Sequence, residues 1–463
     1  MLYLFYGQGK MKKTLLFFQI VFFVTQINAQ CWKSISYGYF HSLGIKNDGT
    51  LWAWGNNGNW QLGDSTNTGT NIPEQIGQEN NWRSIATGLY HSHAIKTDGT
   101  LWAWGDNQYG QLANGTNIDG KIPAQVGNGT DWLSVDARSY YSLGIKTDGT
   151  LWAWGNDDYG QLGDSSIFSQ NIPVKIASAI GWKCVSTGVM HSLGIKTDGT
   201  LWAWGENYNL ELGDGTNMGR AFPVQIGNGT DWKNVGAGNL HSVAIKNDGT
   251  LWTWGQNGNG QLGNGTNTAT NTPIQIGNAD WQNIAVGVWY TMGIKTDGTV
   301  LAWGDNQYGQ LGDGTFASKN IPTQIGNANW QSITSGPVTS SGKRADGTFW
   351  KWGFNGGGQL IDGTILDKNL PSQLTCTLIG MEEISENSID YFVYPNPSFN
   401  LLYVKHPQNK TIESVTIIDV LGKKILEQKE NTPQINIQNL KPGMYQLLIS
   451  CEGKNYSAKF IKE

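Results

Sequence analysis

Charge is scarce in this sequence of 463 residues: only 14% are Asp, Glu, Lys or Arg, and the formal balance is −5. A body short of Lys and Arg cannot present the basic footprint that phosphate backbones require, so no nucleic-acid partner is expected. Cysteine is scarcer still, with four residues in all. Cys31, Cys184, Cys376 and Cys451 lie far apart and never form C-x-x-C, which excludes a thiolate zinc site and a redox pair. Long apolar runs are missing too. Leu15 to Thr25 is interrupted by Gln19 and falls short of the ~20 residues of a membrane span. With Lys10, Lys12 and Lys13 before it and Ile27-Asn28-Ala29 after it, the stretch reads as a signal peptide over 1–29, with Met11 as an alternative start. Export makes disulfides permissible.

What the chain does have is glycine and tryptophan, 62 and 22 residues, and an apolar share of 38% that argues against disorder. Both follow from a repeat. Asp48-Gly49-Thr50 returns at Asp98, Asp148, Asp198, Asp248, Asp297 and Asp346, a period of 50 residues that shortens to 49 at the end. Leu51-Trp52-Ala53-Trp54 alternates with period two, which is strand chemistry and puts both indoles on one face. Asp48-Gly49 predicts a two-residue type I′ hairpin turn. Strands at Trp32 to Ser36, Ser42 to Lys46, Leu51 to Trp54 and around Gln75-Ile76 make four per unit, and seven such units make an all-β propeller over 30–376. One blade cannot bury both its faces, so Trp52, Trp54 and their counterparts are assigned to packing between blades.

Gly38-Tyr39-Phe40-His41-Ser42, Asp48-Gly49, Trp54-Gly55, Asn57 and Gln61-Leu62-Gly63 resemble the unit of the regulator of chromosome condensation repeats, with Trp60 in place of a Gly. The resemblance implies a seven-bladed β-propeller. It leaves function open, since similar propellers serve as a nuclear guanine-nucleotide exchange factor, a plant UV-B photoreceptor and a bacterial β-lactamase inhibitor. The units here are too uniform to hold a long inserted wedge, so nucleotide exchange is disfavoured.

His41, Ser42 and Asp48 contain the residue types of a hydrolase triad. Their register argues for structure instead, because His91, His191 and His241 alternate there with Tyr141, Tyr290 and Thr339. No catalytic residues, cofactor or metal site are expected, and the chain is read as a non-enzyme. A grafted site must break the symmetry of the repeat. Phe40, Tyr90, Tyr140, Met190, Leu240 and Trp289, with Val338, hold one loop register and are the candidate ligand-binding residues at a propeller mouth, with capping of the core between blades as the alternative. Trp60, Tyr109, Tyr159, Tyr208 and Tyr308 form a second, weaker register. Asn114, Asn128, Asn228 and Asn264 open Asn-Gly-Thr triplets that read as turns.

Cys31 and Cys376 flank the seam where the ring must close, and a disulfide between them is expected; Cys184 reads as an inert core thiol. An acidic linker over 377–390 then leads into a strand-rich tail over 391–463, expected to form a small β-sandwich. Its Tyr394-Pro395-Asn396-Pro397 opening, Asp419-Val420-Leu421-Gly422-Lys423 hairpin, Leu440-Lys441-Pro442-Gly443-Met444-Tyr445 motif and Lys459 and Lys462 resemble the C-terminal sorting domain of the type IX secretion system. That implies release from a bacterium or display on its outer membrane. The expected protein is a monomer that binds an extracellular protein or glycan and engages the secretion machinery through its tail. An inhibitor of an extracellular enzyme is the alternative, and a carbohydrate-active enzyme comes after it.

Overall fold

The computed structural model describes residues 32–176, 180–278, 280–362 and 364–374, and in the tail 392–394, 398–405, 412–419, 424–429, 434–451 and 454–462. Blade 1 has four antiparallel strands in sequence order, β1 (Trp32–Tyr37), β2 (His41–Lys46), β3 (Leu51–Gly55) and β4 (Thr70–Gln75). Six further blades repeat this order over 82–125, 132–175, 182–225, 232–276, 281–324 and 330–374. The seven sheets are a seven-bladed propeller. Their first strands touch in succession, and that of blade 7 meets β1, so the ring closes on itself.

The hairpin between β2 and β3 corrects the sequence reading. Gly49 N donates to Lys46 O at 2.9 Å and Lys46 N to Thr50 O at 3.0 Å, and only Gly49, at φ 84°, has left-handed backbone. This is a three-residue loop, a type I turn with a bulge at the glycine, in which Asp48 keeps negative φ. Asp48 works through its side chain instead. One carboxylate oxygen accepts from Thr50 N at 3.0 Å and from Thr50 Oγ1 at 2.6 Å, and Thr50 Oγ1 accepts from Trp52 Nε1 at 2.8 Å. Asp-Gly-Thr is thus a turn that also anchors the first indole of the next strand.

Each interface pairs an aliphatic face with a tryptophan face. Leu43, Ile45, Leu51, Leu62 and Ile76 of blade 1 pack on Trp82 and Trp104 of blade 2, with Trp102 at the margin. The pattern follows from the strand alternation, since residues one apart on β3 belong to opposite interfaces. Truncating an indole in such a place to Ala costs about 3 to 5 kcal/mol. Gly63 faces the next blade at φ 79°, where a Cβ would stand 2.7 Å from the Trp104 ring; Ala113 and Ile361 hold the same register at φ 55° and 52°.

The second Trp of each unit donates to the carbonyl of the Gln position in the preceding blade, as in Trp104 Nε1 to Gln61 O and Trp204 Nε1 to Gln161 O, both at 2.9 Å. At the seam, Trp32, Trp52 and Trp54 pack with Leu374 and Phe349 of blade 7. Cys31 and Cys376, and so the expected disulfide, lie outside the described residues, as do the signal peptide and the linker. Cys184 is a half-buried free thiol whose pKa burial pushes up.

Contacts divide the chain into two compact units, with the boundary between 376 and 377. The tail unit is built from a three-stranded and a four-stranded sheet around Leu402, Val404, Val415, Ile417, Ile435, Leu447, Ile449 and Phe460. Among the described residues, no helix is long and apolar enough to cross a membrane.

Candidate functional site

Two loops per blade come to the same end of the ring: the connection from first to second strand, and the start of the long segment after the third. They are tied together at the proposed mouth register. Asn56 N donates to Phe40 O at 2.8 Å, Asp106 N to Tyr90 O at 3.0 Å, and Phe354 N to Val338 O at 3.0 Å. All seven mouth residues, Phe40, Tyr90, Tyr140, Met190, Leu240, Trp289 and Val338, are half-buried at this end.

They do not form an even ring. Phe40 and Tyr90 stack at 12° with centroids 6.0 Å apart, and Tyr90 leans on Tyr140 at 6.4 Å. Tyr109, from the second register, packs on Tyr140 at 5.1 Å. On the other side Phe354 meets Phe40 at 6.5 Å and Tyr308 at 5.1 Å. The result is an arc of six rings, Tyr308, Phe354, Phe40, Tyr90, Tyr140 and Tyr109, running from blade 6 through 7, 1 and 2 to blade 3. Met190, Leu240 and Trp289 complete the circle without ring contacts. Tyr159 and Tyr208 stand exposed outside it. Trp60 sits at φ 56° in a register held by glycine in five other blades and by Leu210, at φ 71°, in blade 4; Lys121 Nζ lies 5.4 Å from its ring.

Sequence reasoning missed Phe354 and Arg138. Phe354 occupies the place of Asn56, Asp106, Asn156, Glu206, Gln256 and Asp305, so the substitution was visible as a break in the repeat. Arg138 replaces the loop glycine of Gly38, Gly88, Gly188, Gly238, Gly287 and Gly336, and its Nη2 donates to Val286 O at 2.6 Å. Val286 belongs to the first strand of blade 6, so a side chain from blade 3 crosses the centre of the ring.

One carboxyl group borders the arc, and others are buried in the same loop of neighbouring blades. Asp106 accepts from Gln111 Nε2 at 2.8 Å, while burial and the nearby Asp119 push its pKa up. The Tyr140 phenol is likewise raised, by burial and then by Tyr90, Asp106 and Tyr109. In blade 4 the amide is replaced by an acid: Glu211, fully buried beside Glu206, is pushed up to about 9 by burial and by sharing a hydrogen bond with that second carboxyl. In blade 3 the buried Asp157, where six blades have Asn, is raised to about 7, chiefly by burial.

The triad types are not assembled. His41 Nε2 and Ser92 Oγ of the next blade share a 2.9 Å bond, and Ser92 Oγ donates onward to Gln61 O at 2.8 Å. The serine proton is therefore committed, so His41 is the donor and carries its hydrogen on Nε2. Its Nδ1 is buried without a partner, and burial lowers the imidazole to about 3, so it stays neutral at ordinary pH. Tyr141 does the same job with Ser192 at 3.0 Å, which explains why His and Tyr exchange at this register. Asp48 is held at the opposite end of the strand by Thr50. The arrangement is a strut between blades.

The Regulator of chromosome condensation (RCC1) repeat family matches residues 48–95, 98–144, 148–195, 198–245, 248–294 and 297–339, which together exceed half the chain, and a second description of the same repeat matches from residue 32 onward. Residues 392–463 match the Secretion system C-terminal sorting domain. No curated protein matches the chain. Among solved structures, human WBSCR16 is similar at 21% identity and a TM-score of 0.64 over 70% of this chain and 94% of its own. Prp20p from Saccharomyces cerevisiae, in a study of its binding to Gsp1p and histones, is similar at 20% identity and 0.65, over 75% and 89%. At these identities the likeness concerns the fold.

Proposed function

The chain belongs to the regulator of chromosome condensation repeat family, and from that premise we propose that its propeller is an extracellular protein-binding module whose ligand sits on the aromatic arc. The sorting domain directs the chain by type IX secretion to the bacterial cell surface or beyond it. The observation that carries the reading is the continuity of six rings across five blades at one end of the ring. Half-buried aromatic residues clustered at one patch are the usual anchors of protein interfaces. A protein is favoured over a glycan because the rings pack on one another as one continuous patch across five blades, the form of the aromatic core of a protein interface.

The test is affinity capture from the medium and cell surface of the producing bacterium with the full chain, beside a Phe40→Ala, Tyr90→Ala, Phe354→Ala variant with an unchanged melting profile. The expected result is a partner held by the parent and lost by the variant. Equal capture by both would move the binding site off the arc. An extracellular enzyme whose activity falls on binding would make the module an inhibitor.

A further inference from the structure

One end of the arc differs in chemistry from the rest. Phe40 and Tyr90 are nearly parallel, but Tyr140 is tilted by 49° to Tyr90 and Tyr109 by 57° to Tyr140, so the three tyrosines stand as walls at angles to each other. The Asp106 backbone is bonded to Tyr90 O, Tyr109 follows three residues later in the same loop, and Asp119 accepts from Asn107 N at 2.9 Å. The Asp106 carboxyl thus lies near enough to Tyr140 to act on its phenol, and Asp119 is close to Asp106. Neither acid forms an ion pair among the described residues, and Lys121, two residues after Asp119, lies over Trp60 of blade 1.

Aromatic faces carry negative potential, and rings set at angles around a point attract a cation more strongly than a flat stack does. A fixed negative charge behind the rings adds to this, most of all where water is partly excluded. We propose that Tyr90, Tyr140 and Tyr109, backed by the carboxylate of Asp106, form a seat for an alkylammonium group, the side chain of a lysine on the protein partner. A compact ammonium on an apolar stem fits both parts: the stem lies along Phe40 and Tyr90 and the head rests against the tilted tyrosines. This inference rests on the arc being the binding surface, and adds which chemistry its blade 2 and blade 3 end selects. The upward shift of Asp106 agrees with it, since a nearby cation would bring that carboxyl back down.

The experiment uses the full chain at low salt with two probes, Nα-acetyl-lysine methylamide and its norleucine counterpart, which keeps the stem and lacks the ammonium, followed by ligand-observed NMR titration. The lysine probe is expected to bind about fivefold or more tightly than the norleucine probe, a typical cation–π contribution. Tyr140→Leu should remove that preference, and Tyr140→Phe, which keeps the ring, should retain it. Asp106→Asn should reduce it with the fold intact, because Asn56 and Asn156 already accept from Gln61 and Gln161 in the sister blades. Equal binding of both probes, or a preference unchanged in Tyr140→Leu, overturns the inference. If the preference fails while capture still depends on Phe40, Tyr90 and Phe354, the ammonium seat is wrong and the arc stands; if that capture fails as well, both fall.

Discussion

Trp54 Nε1 donates to the carbonyl oxygen of Gln359 at 2.9 Å, joining residues 305 positions apart. It is the same bond that Trp104, Trp154, Trp204, Trp254, Trp303 and Trp352 make to the blade before them, with the sequence direction reversed. The seam lacks one thing the other interfaces have. Thr339 takes the place of His or Tyr and bonds to Phe354 O, so Ser42 Oγ is left buried without a partner.

Trp54→Phe should therefore open the ring at its weakest joint. It strands the buried Gln359 carbonyl, a loss of about 1 to 3 kcal/mol, beyond the volume removed. Urea unfolding of this variant beside Trp204→Phe checks the size, and hydrogen exchange checks the place: blades 1 and 7 should lose protection first. Uniform exchange across all blades would contradict it.

Asp157→Asn should stabilise the protein. In blade 1 Asn57 Nδ2 donates to Asp64 Oδ1 at 2.9 Å and to Thr66 O at 3.0 Å, while its own oxygen accepts from Leu62 N. Asp157 keeps the last role, with Leu162 N at 2.8 Å, but cannot donate when ionised. Its pKa is raised from an ordinary carboxyl value to about 7, so the folded state holds a proton that the unfolded chain releases. Stability from this group falls as pH rises from about 4 to about 7, then levels off. The advantage of Asn should grow over that window to about 1 to 2 kcal/mol, read from melting curves at several pH values.

Glu211→Gln is expected to act in the same direction over a wider range. The Gln in other blades donates to its neighbour, as Gln310 Nε2 does to Asp305 at 2.7 Å; two carboxyls can do so only while one keeps a proton. The proton is held up to about pH 9, so the parent loses stability as pH climbs from the ordinary Glu range toward that value. The variant should be flat where the parent declines, with a gap of about 1 to 3 kcal/mol at the alkaline end. Parallel pH profiles would show that the pair does not share a proton.

Acid should unfold the protein through its buried imidazoles. His41, His93, His191 and His241 are each lowered to about 3 by burial, so protons bind the unfolded chain first. Stability is complete above about pH 6.5 and falls as pH drops toward 3. His41→Tyr, which borrows the residue that works at Tyr141 and Tyr290, should preserve the bond to Ser92 and make the acid slope shallower. An unchanged slope would assign acid lability to other groups.

The architecture was legible because one period states it seven times. Strand alternation in Leu51-Trp52-Ala53-Trp54 and the recurrence of Asp-Gly-Thr define blades whatever any single residue does. The turn at Asp48-Gly49 was misread because a three-residue loop and a type I′ turn place the same Gly at φ > 0 and differ in the residue before it. The arc was half legible. Phe40, Tyr90 and Tyr140 share a register and could be grouped from sequence, but Tyr109 and Tyr308 belong to a different loop, and only the folding of both loops to one end brings them together. Phe354 and Arg138 were hidden by reading what repeats; each is informative because it does not.

Every blade takes its four strands from one unbroken stretch, and no strand is exchanged across the seam. The position of the chain ends around the circle is therefore arbitrary. Cut at the exposed connector between Gly127 and Trp132 and joined at the old seam, a permuted chain would present the same seven blades and the same arc. Only the interface left unlinked would change. A unit of about fifty residues is in this sense the molecule's quantum of variation, while the Arg138 bond to Val286 ties together two blades that are not neighbours.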